Sequence, residues 1–396
     1  MVHRPTSILA ASAALLLGAF VAGCGDDVGS LIPRDGSPHV DGTAPKPETQ
    51  LSFPEAGHAP PDAGRNLDSV GVDEGAVEAA GEANPPPPGP DAGPEALPPP
   101  PVTVVVLPDT QYYASSYPAV FTAQTSWIAQ QQPALNIALA LHVGDIVDTS
   151  TSTPQWTVAN PAMRRLDGIV PYVVVPGNHD TDIDRNGPIN NYFGPASMPW
   201  ITGTMVAGQI ENNYALVDIG PQQWLILGLE FGPRDAVMTW ADAVLKAYPD
   251  RPAIILTHAY LYGDGNRYDF ALSSMSHQAF IPQDYGYTAS QGINDGEMIW
   301  QKLILTNANV RLVFSGHDSG AARLTSARPD GSVVHQMLSD YQWYNIDASD
   351  YYGGAGYLRV LQFDYGKKTI DVHTYSPYLL QYLTDDANQF SLDMNF

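Results

Sequence analysis

The chain has one cysteine, Cys24, in 396 residues. No disulfide can form within it, so its folded part must be held by its own core and by whatever it binds. Basic residues are scarce too: 18 Lys and Arg stand against 42 Asp and Glu, a formal charge of -24. Duplex nucleic acid is bound by Lys and Arg neutralising phosphates, so this composition excludes it as a partner. There is no Gly-x-Ser-x-Gly. In Gly316-His317-Asp318-Ser319-Gly320 the serine stands one place off, so a serine esterase elbow is not signalled. Asp109 lacks the second Asp of an aspartyl-phosphate phosphatase. The apolar run Ile8 to Val21 is too short for a permanent membrane span.

That run follows His3 and Arg4 and closes the pattern of an export signal, residues 1–23. Val21-Ala22-Gly23-Cys24 resembles the bacterial lipoprotein box. The resemblance implies lipidation of Cys24, a membrane partner reached through that lipid, and an exported protein anchored on the periplasmic side or at the cell surface. Residues 24–101 then form a tether rich in Pro, Gly, Ala and acids, with 14 Asp and Glu against 3 Lys and Arg after Cys24. Such a stretch buries too little apolar surface to offset its chain entropy, and reads as a self-repelling spacer with polyproline runs.

Residues 102–396 read as one large domain. Val102 to Leu107, Ile137 to Val143 and residues 172–175 are apolar runs of strand length, separated by helical spacing over Ala119 to Gln131, before Pro133, and over Thr153 to Leu166, interrupted by Pro161. This order predicts parallel strands with helices on the sheet. Asp182 to Gln209 reads as a long loop, Tyr214 to Asp218 and Trp224 to Leu229 as paired strands, and Asp235 to Ala247 as a helix. Strands at Ala253 to Thr257 and Val310 to Phe314 flank a Tyr- and Gly-rich loop, Gly263 to Gly292, and a helix, Glu297 to Leu305. After Ala321 short strands follow, with Asp330-Gly331 and Gly366-Lys367 as hairpin signals. The expected fold class is α/β: two mixed sheets face to face, flanked by helices in four layers.

Polar residues follow five of these strands directly: Asp109 with Gln111, Asp145 with Asp148, Asn178 with His179, His258, and His317. Open α/β sheets place ligands at the carboxyl ends of strands. Carboxylates, an amide oxygen and imidazoles converging there suit divalent transition metals, and one shared carboxylate can hold two ions about 3.5–4 Å apart. Of the other histidines, His142 reads as a satisfied core residue, and His277, His335 and His373 as surface or hydrogen-bonding ones. The tyrosines of the 263–292 region read as loop packing. Arg234, Arg267 and Arg323 are candidates for phosphate contact, none singled out by spacing.

Asp-x-Gln, Gly-Asp-x-x-Asp, Gly-Asn-His-Asp, Thr-His and Gly-His, in this order over residues 102–320, resemble the calcineurin-like metallophosphoesterase family. The stretches at 108–111, 230–234, 336–338, 341–342 and 374–377 are similar to an exported bacterial branch of it. The resemblance implies metal-dependent hydrolysis of a phosphate ester by metal-activated hydroxide, with two divalent ions of Mn, Fe or Zn. Asp145 matches the bridging carboxylate, and Asn178, His258 and His317 the remaining ligands of one ion. His179 matches the non-ligating imidazole that assists the leaving group, and Asp148 its partner carboxylate. The second site departs from the pattern: Asp109 is present, but Gln111 and Ser319 stand where imidazoles are usual, which favours harder ions, Mn, Fe(II) or Ca. A surface-tethered binding protein that keeps this fold without turnover is the alternative.

Overall fold

The computed structural model describes residues 100–276, 278–344 and 355–394. The expected export signal, Cys24 and tether up to residue 99 lie outside the described residues, as does His277. Strands β1 (Val102–Leu107), β2 (Ile137–His142), β3 (Tyr172–Val174), β4 (Ile201–Thr204), β5 (Asn213–Ile219), β6 (Gln222–Leu229) and β7 (Ala253–Thr257) come first. Then follow β8 (Val310–Ser315), β9 (Gly320–Ala327), β10 (Val333–Asp340), β11 (Leu358–Asp364), β12 (Thr369–Ser376), β13 (Gln381–Leu383) and β14 (Phe390–Asp393).

They form two mixed sheets. One has the order β13-β12-β11-β1-β2-β3, with β14 also on β12; the other runs β4-β5-β6-β7-β8-β10-β9. In the first, β1, β2 and β3 are parallel, as the β-α-β-α-β order requires. In the second, β6, β7, β8 and β10 are parallel.

Strand side chains alternate between faces. Val104 and Val106 of β1 therefore join Leu139, Leu141, Ile226, Leu256 and Phe314 in the core between the sheets. Val105 and Leu107 point the other way, onto the helices Pro118–Leu135 and Thr153–Met163. The second sheet's outer face is covered by helix Asp235–Ala247 and the segment Gly296–Ile304. The layers are helix, sheet, sheet, helix, as expected. Among the described residues no helix is long and apolar enough to cross a membrane.

Local boundaries differ in places. A short helix, Gln111–Ser115, precedes the two expected ones; of these, Pro118–Leu135 runs on through Pro133, because a proline in the last turns forfeits one hydrogen bond there, and Asn136 then closes it in left-handed backbone. The second likewise passes Pro161 and tightens to a 3-10 turn over Arg164–Leu166. The expected loop 182–209 contains a short helix, Ile189–Phe193, and edge strand β4. Ile-Thr-Gly-Thr has too short an apolar signature to stand out; its pairing with β5 makes it a strand. Residues 300–304 of the last helix are π-helical. Both hairpin signals hold: β9–β10 and β11–β12 are antiparallel neighbours.

Candidate metal centre

The strand ends of the two sheets meet at one edge. The Thr110 N–H donates to the Asp145 carbonyl, joining the turns after β1 and β2, and the Gly316 N–H donates to the His258 carbonyl, joining those after β8 and β7. Two turns approach too closely for any side chain. A Cβ on Gly177 would lie 2.0 Å from Asp145 Oδ1, and one on Gly316 would lie 2.2 Å from Asp109 Oδ1. Asp145 and His317 both hold left-handed backbone, with φ of 48° and 77°. Such conformations cost roughly 1–3 kcal/mol each in non-glycine residues and persist only where the surroundings over-determine them.

Asp145, His258 and His317 converge, each offering a ligand atom within 4.8 Å of the others. His258 Nε2 lies 3.2 Å from Asp145 Oδ2 and 3.2 Å from His317 Nδ1. The opposite nitrogens are committed to main-chain carbonyls: His258 Nδ1 to Val143 at 3.0 Å, and His317 Nε2 to Phe280 at 2.6 Å. A carbonyl only accepts, so these nitrogens carry the protons. The facing atoms are then lone pairs, beside a carboxylate, and only a cation reconciles them. This is the outer-shell pattern that sets the tautomer of metal-ligating histidines. Without a metal, one proton takes that place. Although burial disfavours its charged form, Asp145 raises the pKa of His258, while burial and His258 together push His317 down to about 3. Burial would likewise raise Asp145, but His258 and His179 hold it below the ordinary carboxylate range.

Three further candidate ligands each bury an oxygen with no hydrogen-bond partner: Asp109 Oδ1, Gln111 Oε1 and Asn178 Oδ1. Buried polar atoms are rarely left so, and an ion is one of the standard reasons. Asp109 Oδ1 is 3.9 Å from His258 Nδ1, and Gln111 Nε2 is 3.5 Å from Asp145 Oδ2. Burial, with Asp340 and Asp145 nearby, drives the Asp109 pKa well up. Asp340 is driven to about 8 by burial, with Asp145 and Asp318 adding to the rise. Crowded buried carboxylates of this kind are what a bound cation relieves. The donor set thus fits divalent metal. Asp145, His258 and His317 form the cluster that could hold an ion, and Asp109, Gln111 and Asn178 add candidate oxygen donors. Asp318 turns away, accepting the Gly263 N–H at 2.6 Å.

His179 stands beside this cluster, its main-chain N–H donating to Asp145 Oδ1 at 2.9 Å. Its ring is oriented differently from expectation. Nδ1 donates to the Asp148 main-chain carbonyl at 2.7 Å, with the Asp148 carboxylate at 3.8 Å. The main chain therefore aims the ring and the carboxylate supplies charge. Burial lowers the His179 pKa, but Asp145 and the Asp148 carbonyl outweigh it, so the net shift is upward.

Nothing in the sequence gives Asp180 a role of its own, yet it clamps the site. Its carboxylate accepts the N–H groups of Ile146 (2.9 Å), Val147 (3.0 Å) and Gly177 (2.9 Å), stapling the two ligand turns together. Asp340 ends the buried strand β10, which is parallel to β8, and so makes a sixth polar strand end. The same signal that marked the other five was present after Met337-Leu338. Phe231 packs against both histidines, with ring centres 5.7 Å from His258 and 5.0 Å from His317. Tyr285 and Tyr287 pack on Phe231 in turn, which is the loop-packing role expected of the tyrosines.

His142 is a satisfied core residue: it accepts the Gly144 N–H and bonds Thr110 Oγ1 at 3.0 Å. The three candidate arginines are engaged elsewhere. Arg234 forks onto Glu230, Arg267 pairs with Glu297 at 2.6 Å, and Arg323 lies over Phe390.

Facing sheets whose strand ends bring carboxylates, an amide and imidazoles together make a candidate metal centre. The pattern of the calcineurin-like phosphoesterase family matches residues 102–320, and the chain belongs to that family. It is 36% identical over 312 residues to the uncharacterised protein YvnB of Bacillus subtilis (strain 168), covering 74% of this chain and 22% of that protein. The chain thus spans about a fifth of the length of this curated relative. Among solved structures it is similar to purple acid phosphatase PPD1 from yellow lupin (Lupinus luteus) seeds, at 16% identity and TM-score 0.45 over 74% of this chain and 54% of that one. A dimetal phosphatase from Danio rerio is similar at 12% identity and TM-score 0.45, over 75% of this chain and 100% of that one.

Proposed function

We propose that this chain hydrolyses a phosphate ester at a two-ion centre held by Asp109, Gln111, Asp145, Asn178, His258 and His317. The observation that carries this is the set of buried oxygens without partners together with the facing lone pairs of His258 and His317. Divalent ions in such a centre supply positive charge to phosphoryl oxygens and lower the pKa of water toward neutrality. The protein's own part is positional. Asp180 and the glycines at 177 and 316 keep the donor turns in contact, and Phe231 covers the histidine edges. His179, with Nδ1 tied to the Asp148 carbonyl, keeps Nε2 for the departing alkoxide and delivers a proton there. Asp148 and Asp145 favour its charged, proton-bearing form.

The test uses the full chain stripped of metal and titrated with Mn²⁺, Fe²⁺ and Zn²⁺. Bound metal and hydrolysis of aryl phosphate mono- and diesters are followed together. Turnover should require metal, and His179→Asn should lower it about 10²–10⁴-fold with metal binding unchanged. One ion or none bound, with turnover no better than the variant's, would make the chain a binding protein on this fold. We further propose that Cys24 carries lipid and that residues 24–101 hold the domain off a membrane. Its support is the apolar run ending at Ala22-Gly23-Cys24. Cys24→Ser should release the protein from the membrane fraction; retention there would refute the anchor.

A further inference from the structure

The second ion position of the proposed centre has an unusual donor, the amide of Gln111. An amide presents either its oxygen or its NH₂ group, and only the oxygen binds a cation. Something must decide which. We infer that Asp340 and Gln342 form a relay that orients Gln111, so that they act as positioning residues for the second ion, an inference that rests on the two-ion reading of the centre.

Donors and acceptors settle the orientation step by step. Asp340 is fully buried at the end of β10. Its two oxygens accept from Gln342: Oδ1 from the main-chain N–H and Oδ2 from Nε2, both at 2.9 Å. With cations in the centre relieving the crowding that raises its pKa, Asp340 is a carboxylate that only accepts, so the Gln342 side chain must turn its NH₂ toward it. Its Oε1 is then left facing Gln111, which donates Nε2 to it. Gln111 has now spent its NH₂ on Gln342 and lies with the same nitrogen 3.5 Å from Asp145 Oδ2, a second acceptor. What remains is Gln111 Oε1, buried and without a partner. The carboxylate at the far end thus dictates, through two amides, that an oxygen and not an NH₂ group is left over. Amide orientation is settled by the network around it, and here the ionised Asp340 carboxylate of the metal-loaded centre fixes one terminus. With Asp109 and Asp145, the position offers oxygen donors only, which suits a hard dication such as Mn²⁺ better than zinc.

The relay has a polarity that can be reversed and restored. In Asp340→Asn, the new NH₂ group faces Gln342, which must turn its oxygen to it and its own NH₂ to Gln111. Gln111 then turns its oxygen to Gln342 and an NH₂ toward the ion. In the double variant Asp340→Asn/Gln342→Glu the net charge is that of the wild type. The amide introduced at position 340 donates to the carboxylate introduced at position 342. That carboxylate also accepts from Gln111 Nε2, and Gln111 Oε1 is free again.

The experiment is calorimetric titration of the metal-stripped full chain with Mn²⁺ alone. Two ions should bind to wild type. Asp340→Asn should leave the tighter ion unchanged and weaken the other about 10–100-fold, the range typical of outer-shell partners. The double variant should regain the wild-type affinity. An unchanged second ion in Asp340→Asn overturns the relay alone, as does a double variant no better than the single one. If Asp340→Asn does not fold, a folded double variant with wild-type affinity upholds the relay, and a failed one overturns it. A single ion in wild type would overturn the two-ion reading and the relay together.

Discussion

Removing Asp180 gives the sharpest test of how this centre is built. In Asp180→Ala three main-chain N–H groups, of Ile146, Val147 and Gly177, lose their acceptor at a site where the carboxylate is fully buried. Each unsatisfied buried donor costs about 1–3 kcal/mol, so the loss is about 3–9 kcal/mol. A domain's whole stability is only about 5–15 kcal/mol, so the variant should be marginal. Asp180→Asn separates the bonds. Its oxygen can keep Ile146 and Val147, which share Oδ1, while Nδ2 replaces the oxygen that Gly177 uses. One donor then faces another, and the cost should be about 1–3 kcal/mol. The assay is urea denaturation of the metal-free protein, read as a shift in midpoint at constant slope. The order wild type, Asn, Ala is required. An Ala variant within about 1 kcal/mol of wild type would show that these N–H groups find other partners and would refute the clamp.

Other outcomes follow from the same geometry. Asp148→Asn should slow turnover only about 5-fold or less, far less than His179→Asn, because the main-chain carbonyl still aims the ring and only a partly exposed charge is lost; kcat at fixed metal decides this. Gly316→Ala should weaken metal binding, because its Cβ would meet Asp109 Oδ1 at 2.2 Å; calorimetry with Mn²⁺ reads the loss. Glu230→Gln should cost about 3 kcal/mol at pH 7, because Arg185 and Arg234 lose a buried partner. Burial would raise the Glu230 pKa, yet Arg234 and Arg185 hold it below the ordinary 4.5. A depressed carboxyl stabilises the fold fully above its unfolded pKa and loses that contribution as pH falls through the folded value. The difference between wild type and Glu230→Gln should therefore shrink below about pH 4.5, as thermal melts against pH will show.

Much of this centre is legible in one dimension because parallel strands put their carboxyl ends on a common edge. Apolar runs followed at once by Asp109, Asp145, Asn178, His258 and His317 are enough to predict convergence, since the strand period and the parallel order leave few alternatives. The helix–sheet–sheet–helix layering follows from the same runs: an apolar strand with bulk on both faces must be covered on both. The Asp-Gly and Gly-Lys turns are likewise local chemistry, settled by the residues that occupy them.

What tertiary structure decided is the use made of identical groups. Asp109, Asp180 and Asp340 are all buried carboxylates at strand ends or turns, yet one leaves an oxygen without a partner, one staples main-chain donors and one orients an amide. No local pattern separates these roles, because each depends on which donors from distant segments arrive at the carboxylate. The same holds for His179, aimed by a carbonyl and not by the carboxylate of the same residue, and for Arg234, Arg267 and Arg323, whose partners lie on neighbouring elements. Residue type and strand position determined which chemistry meets at the edge. Hydrogen-bond direction, set only when the two sheets close on each other, determined what each group does there.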